Sequence, residues 1–147
     1  MNPHFVAILR AFRDEGVEHL VIGAHALAVH GHVRATLDID LWVRPTRDNA
    51  LRTWRALERF RAPLSKMKLE DFAEHEVLYQ IGMPPSRIDI MTSVTGLDFD
   101  AAWPNRVMAA FGDVEAPVLG LDDMRAAKKA AGRLKDLADL EELGRPP

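Results

Sequence analysis

The chain has 147 residues, 48% of them hydrophobic and 28% charged, the balance of one globular domain, since typical domains span roughly 100–200 residues. It contains no cysteine, which excludes a disulfide scaffold, a thiolate zinc site and a catalytic thiol, and suits a reducing cytoplasm. A formal net charge of −3 argues against affinity built on neutralising many phosphates of a polynucleotide. The apolar run near the N-terminus, Phe5 to Leu9, is too short for a signal peptide or a bilayer span. The expectation is a single cytoplasmic domain over residues 1–147, with no membrane partner.

Along the chain, Phe5, Ile8, Leu9 and Phe12 recur at helical spacing from Pro3 to Glu15, and Gly16 ends the pattern as a C-terminal glycine does. His19 to Gly23 is a short branched-rich strand, and Ala24 to Gly31 a short helix. From Thr36 to Val43, Leu37, Ile39, Leu41 and Val43 alternate with Asp38, Asp40 and Trp42, the period-2 pattern of a half-buried strand. Thr46 caps a helix that turns Ala50, Leu51, Trp54, Leu57 and Phe60 inward and ends at Ala62 and Pro63. After an irregular stretch from Leu64 to Glu76, VLYQI and RIDIM flank GMPPS as a hairpin. RVMAAFG and VEAPVLG form a second hairpin around Gly112 and Asp113, and the residues from Leu121 onward are strongly helical. This order predicts an α/β (α+β) fold, a mixed sheet of about four to six strands flanked by helices.

Asp38 and Asp40 leave the same face of their strand, roughly 7 Å apart at their roots. An isolated Asp-x-Asp is the polar side of an amphipathic strand. Here, however, two aspartates interrupt a strand that they disfavour, and Arg87-Ile88-Asp89-Ile90-Met91 repeats the pattern. If the two strands pair, Asp89 joins Asp38 and Asp40 in a cluster that repels itself when empty. Two divalent cations about 3.5–4 Å apart would satisfy it, the geometry used for in-line phosphoryl displacement. Upstream, Gly23 and Ala24 sit at a strand-to-helix junction, where backbone N–H groups favour a phosphate, and His25 is placed to line the mouth of such a pocket.

The run VIGAHALAVHGHVRATLDIDLWV resembles the signature of the polymerase-beta-like nucleotidyltransferase superfamily: an apolar strand, Gly followed by Gly or Ser, a spacer, then Asp, an apolar residue, and Asp or Glu. Gly23, Asp38 and Asp40 stand at its positions, and RIDI supplies the third carboxylate as Asp89. Arg34-Ala35-Thr36, and the tail with Lys128, Lys129, Arg133, Lys135, Asp136 and Asp139, look like the abortive-infection type of toxin nucleotidyltransferases. The resemblance implies a minimal nucleotidyltransferase fold with Asp38, Asp40 and Asp89 as catalytic residues and metal ligands. It implies a two-metal magnesium site in which Mn2+ can substitute, and nucleotide binding by Gly23, Ala24, His25, Lys128 and Lys129. The substrate would be an NTP, the acceptor a hydroxyl on an RNA end, a protein side chain or a small molecule. A role in a toxin-antitoxin or phage-defence system would follow. Many relatives carry a further helical domain for the acceptor, so a second subunit or a partner protein is expected to complete the site.

Ala24 departs from the signature, because alanine offers a phosphate only its backbone N–H. A rival reading is therefore an antitoxin-like interaction module that keeps the fold and loses turnover. In the tail, Arg133 with Asp136 and Lys135 with Asp139 have the spacing of surface ion pairs. His25, His30 and His32 do not have zinc-ligand spacing on a helix.

Overall fold

The computed structural model describes residues 1–35 and 38–144. Thr36 and Leu37, which the sequence places at the start of the Asp-x-Asp strand, lie outside the described residues. The helices are α1 (Pro3–Asp14), α2 (Gly23–Val29), α3 (Arg47–Phe60), α4 (Phe99–Ala102), α5 (Leu121–Ala131) and α6 (Leu134–Leu143). The strands are β1 (His19–Ile22), β2 (Asp38–Val43), β3 (Leu78–Ile81), β4 (Arg87–Met91), β5 (Val107–Phe111) and β6 (Val114–Val118). No helix among the described residues is long and apolar enough to cross a membrane.

The strands form one mixed sheet in the order β3-β4-β2-β1-β6-β5. Its centre is the antiparallel pair β1/β2. Parallel neighbours flank it, β4 on β2 and β6 on β1, and the hairpin partners β3 and β5 close the two edges. The expected mixed sheet flanked by helices is thus present. The capping chemistry is where the sequence puts it: the Thr46 side chain accepts from the Asn49 N–H at the start of α3. α1 buries Phe5, Ile8, Leu9 and Phe12, one apolar stripe at helical spacing.

Three expectations change. Trp42 is a core residue, as a tryptophan there is expected to be, but it is buried from the Asp38 and Asp40 side of β2 that the alternation marks as polar: it is 1% exposed, because Phe99 of the short helix α4 meets its ring edge-on at 5.0 Å between centroids. The sheet is therefore covered there on both faces. Leu51 is 38% exposed, while Asn49 and Thr53 are buried in α3 instead. Asn49 is spent locally, accepting from the Glu18 N–H and donating to the carbonyls of Glu18 and Arg44. The C-terminal helical run is two helices: Gly132 takes φ +64° as the cap of α5, a left-handed position that suits glycine, and α6 starts afresh after it.

Candidate active site

β1 ends at Ile22, which pairs with Asp40 in the ladder, so the turn into α2 lies against that carboxylate. Gly23 there has φ +70°, a conformation that L side chains rarely adopt. A Cβ on it would also stand 3.2 Å from Asp40 Cγ and closer still to Oδ2. Backbone conformation and the packed carboxylate together require glycine at this position.

β2 and β4 run parallel, with Asp38 opposite Arg87 and Asp40 opposite Asp89. Directly opposed residues share a sheet face, so the three carboxylates lie on one face as the sequence predicts, with Arg87 among them. Arg87 is ion-paired with Asp38 Oδ2, and its Nε lies 3.2 Å from Asp89 Oδ1. Asp40 and Asp89 face each other directly across the ladder. Burial, then the charges of Asp89 and Asp38, push the Asp40 carboxyl up to about 6, against the opposing pull of Arg87.

The neighbourhood expected from sequence is therefore formed, but not as three ligands aimed at one point. Among the described residues no group of three histidines or carboxylates is arranged to hold a metal ion, and Arg87 is the counter-ion of the cluster. In chemistry the donors fit a hard divalent cation: all are carboxylate oxygens, as magnesium prefers. Even with Arg87 in place, burial and then the neighbouring carboxylates push Asp40 toward neutrality, so full negative charge on the cluster is disfavoured.

A cleft of about 500 Å³ opens beside Asp40. Gly23 and Ala24 line it from the start of α2, Asp40, alone of the three aspartates, from β2, Ser93 and Thr95 from the segment after β4, and Lys128, Arg133, Lys135 and Asp136 from α5, α6 and their junction. Carboxylate and cations thus share one cavity. Lys128, Arg133 and Arg34 are themselves tied down. Lys128 Nζ is 2.9 Å from Asp139 Oδ2 and 3.6 Å from Asp136 Oδ1, Arg34 reaches Asp139 at 2.5 Å, and Arg133 Nε donates to Asp136 Oδ2 at 2.6 Å.

Asp136 is 0% and Asp139 6% exposed, so these are not the surface bridges that helical spacing suggests, and Asp139 is taken by Lys128 and Arg34 rather than by Lys135. The Arg133 hydrogen bond holds Asp136 below the usual carboxylate range against the opposing effect of burial. Burial pushes Asp139 up, and the hydrogen bonds from Arg34 and Lys128 outweigh it to hold the group low.

Not every sequence candidate reaches the cleft. Lys129 is exposed and does not line it, because one residue along a helix rotates the side chain about 100° away from Lys128. His25 lies elsewhere, between Phe5 and Phe111 with ring centroids at 5.5 and 6.4 Å. Burial lowers its pKa, opposed by a hydrogen bond with the Asp38 backbone. His30 Nε2 is 2.8 Å from the Leu119 carbonyl oxygen, and His32 Nδ1 is 3.7 Å from Glu142. Arg87 was not singled out by the sequence, although its place two residues before Asp89 in a strand puts both on one face.

The sequence matches no known family and no curated protein. Its fold does match a solved structure, the crystal structure of a Thermotoga maritima protein that carries the provisional name of nucleotidyltransferase. The TM-score is 0.63 at 16% identity, over 94% of this chain and 88% of that one. The two chains share a fold.

Proposed function

We propose that the chain is a divalent-cation-dependent nucleotidyltransferase that moves a nucleoside monophosphate from an NTP to a hydroxyl. The observation that carries this reading is the shared cleft, with Asp40 and the Gly23 turn on one wall and Lys128, Arg133 and Lys135 on another. An NTP has the matching polarity: a triphosphate that needs both a cation held by carboxylates and basic side chains. Asp38, Asp40 and Asp89 would hold magnesium, whose chemistry when bound is to neutralise phosphate oxygens and acidify the attacking hydroxyl.

The chain's own groups do the rest. The Gly23 and Ala24 backbone, free of a Cβ at the first position, allows the phosphates to approach. Lys128 and Arg133 draw the triphosphate in by exchanging one carboxylate partner for a phosphate, while Asp136 and Asp139 keep them in place. Asp89, opposite Asp40 in the β2/β4 ladder, accepts the acceptor's hydroxyl proton. The acceptor oxygen then bonds to the α-phosphorus and pyrophosphate leaves with the electron pair of the broken P–O bond. The acceptor would be an RNA end, a protein side chain or a small molecule, and a role in a toxin-antitoxin or phage-defence pair belongs to the same reading.

One observation favours the rival. Arg87 engages two of the three carboxylates, and Lys128, Arg133 and Arg34 are matched to internal anions, which is also how an inert, self-neutralised interaction module would look. Calorimetry and thermal shift with each NTP and magnesium separate the two, since a ligand bound to the native state must raise the melting temperature. Binding followed by transfer of α-phosphate label into a product supports the enzyme. A folded protein that binds no NTP with magnesium overturns it in favour of the module.

A further inference from the structure

β5 is an outer strand of the sheet, paired only through β6. Edge strands are normally blunted by lysine, proline or a bulge because their free N–H and C=O groups template pairing with another chain. β5 reads Val-Met-Ala-Ala-Phe, with no charge and no proline across five residues. Val107 is 42% and Met108 53% exposed.

The hairpin register fixes which backbone groups face outward. Phe111 and Val114 flank the two-residue turn, and Ala109 opposes Ala116. Hydrogen-bonded and non-hydrogen-bonded positions alternate in such a ladder, so Phe111, Ala109 and Val107 direct their backbone groups to β6, and Met108 and Ala110 direct theirs away from it. The strand is self-complementary about Ala109. In an antiparallel copy centred there, Met108 faces Ala110 of the second copy and Ala110 faces its Met108. Each of these pairs can exchange both N–H···O bonds, while the small Ala109 side chains meet at the axis.

The charges at the two ends match as well. Arg106 precedes β5, and Asp113 follows Phe111 by two residues. In the same register Arg106 of one copy falls opposite Gly112 of the other, beside Asp113. Asp113 carries Arg10 at 2.7 Å yet keeps a side chain 76% exposed, so it has room for a second cation. We infer that two copies of this chain associate through β5, joining their sheets across a two-fold axis at Ala109. This goes beyond the proposed activity and does not depend on it.

Sedimentation or light scattering across a range of concentrations tests it. The expected result is a doubling of mass as concentration rises, weakened about tenfold by Met108→Lys, which brings like charges onto neighbouring positions of the new ladder. Arg106→Asp and Asp113→Arg should each weaken association alone, and mixing the two single variants should restore it, because every end contact of the mixed pair is again between opposite charges. Circular dichroism and melting confirm that each variant is folded, and the mixing arm stands even if Met108→Lys does not fold. A wild-type protein monomeric up to about 1 mM, the weak end of specific association, overturns the inference. So does a dimer indifferent to all three substitutions, or two charge variants that fail to rescue each other.

Discussion

Gly23 and Asp40 occupy each other's space: the carboxylate lies where a Cβ of residue 23 would be, at a backbone φ of +70°. The glycine of the strand-to-helix turn and the second aspartate of the Asp-x-Asp strand are therefore one feature, not two motifs that happen to be near. Gly23→Ala must adopt a left-handed conformation and displace the carboxylate, and the expected loss is about 1–3 kcal/mol of stability. Gly23→Val adds a branched side chain and should lose NTP binding as well. Urea unfolding checks the first expectation and calorimetry the second; a fully stable Gly23→Ala would mean that Asp40 moves aside freely.

Asp40→Asn should abolish nucleotide transfer and, in metal-free buffer, stabilise the fold. The raised pKa of about 6 means that the folded protein prefers the neutral carboxyl. Wild-type stability then rises as pH falls from about 6 toward the ordinary carboxylate value, and the charged form is a burden above it. Partial solvent access reduces the full linkage value to about 1–2 kcal/mol at neutral pH. Unfolding midpoints of both proteins between pH 4 and 8 should converge at the acid end; a destabilised Asp40→Asn at neutral pH would instead mark Asp40 as a structural hydrogen-bond acceptor.

His19 gives the opposite sign. Burial lowers it to about 4, only partly offset by its hydrogen bond with the Val17 carbonyl, and it packs edge-on against Phe12 at 4.9 Å. The unfolded chain takes up this proton first, so the contribution is intact above the unfolded value of 6.5 and is lost as pH falls toward 4. The loss is on the order of 3 kcal/mol. His19→Gln keeps a polar side chain without titration, and its stability should decline less than that of the wild type between pH 6.5 and 4. Parallel pH profiles would show that the histidine is neutral in the fold for no energetic consequence.

Legibility followed the range of the interactions. Asp38, Asp40 and Asp89 stood out because aspartate in apolar strands is anomalous one strand at a time, and Thr46 and Gly16 because caps are local. The long-range partners were not legible: Arg87 meets Asp38 only once β2 and β4 take their register, and Arg34 meets Asp139 only when α6 folds back across the cleft. α4 was missed because Phe99–Ala102 is a single turn with no periodicity to detect, and with it the element that covers Trp42. The choice between Lys128 and Lys129 was within reach. Met124 is the buried residue of α5, and Lys128, four residues on, shares its face.

Asp136 ties this arrangement together, since it accepts from the Arg133 N–H and side chain at the start of α6 and faces Lys128 of α5. Asp136→Ala removes an N-terminal capping partner and leaves Lys128 with half of its compensation, so about 2–4 kcal/mol should be lost. Asp136→Asn, which retains the cap acceptor, should cost less. Equal stability of both variants and wild type by urea unfolding would reduce the cluster to a surface ion pair.

Ala24→Ser tests the phosphate-binding role of the turn directly, because Ala24 lines the cleft beside Gly23 and is the one departure from the nucleotidyltransferase signature. The added hydroxyl should leave the fold intact and donate to a phosphate oxygen. A hydrogen bond to a charged group is worth about 1.5–3 kcal/mol, and solvent at the open cleft should cut this to about tenfold in affinity. The gain must appear with the NTP and magnesium together and be absent for the nucleoside, which has no phosphate to accept the bond. Calorimetry should therefore find NTP affinity highest for Ala24→Ser, lower for the wild type and lowest for Gly23→Val. Equal affinities would place the phosphates away from this turn, and tighter binding of the nucleoside as well would assign the added hydroxyl to the sugar or base.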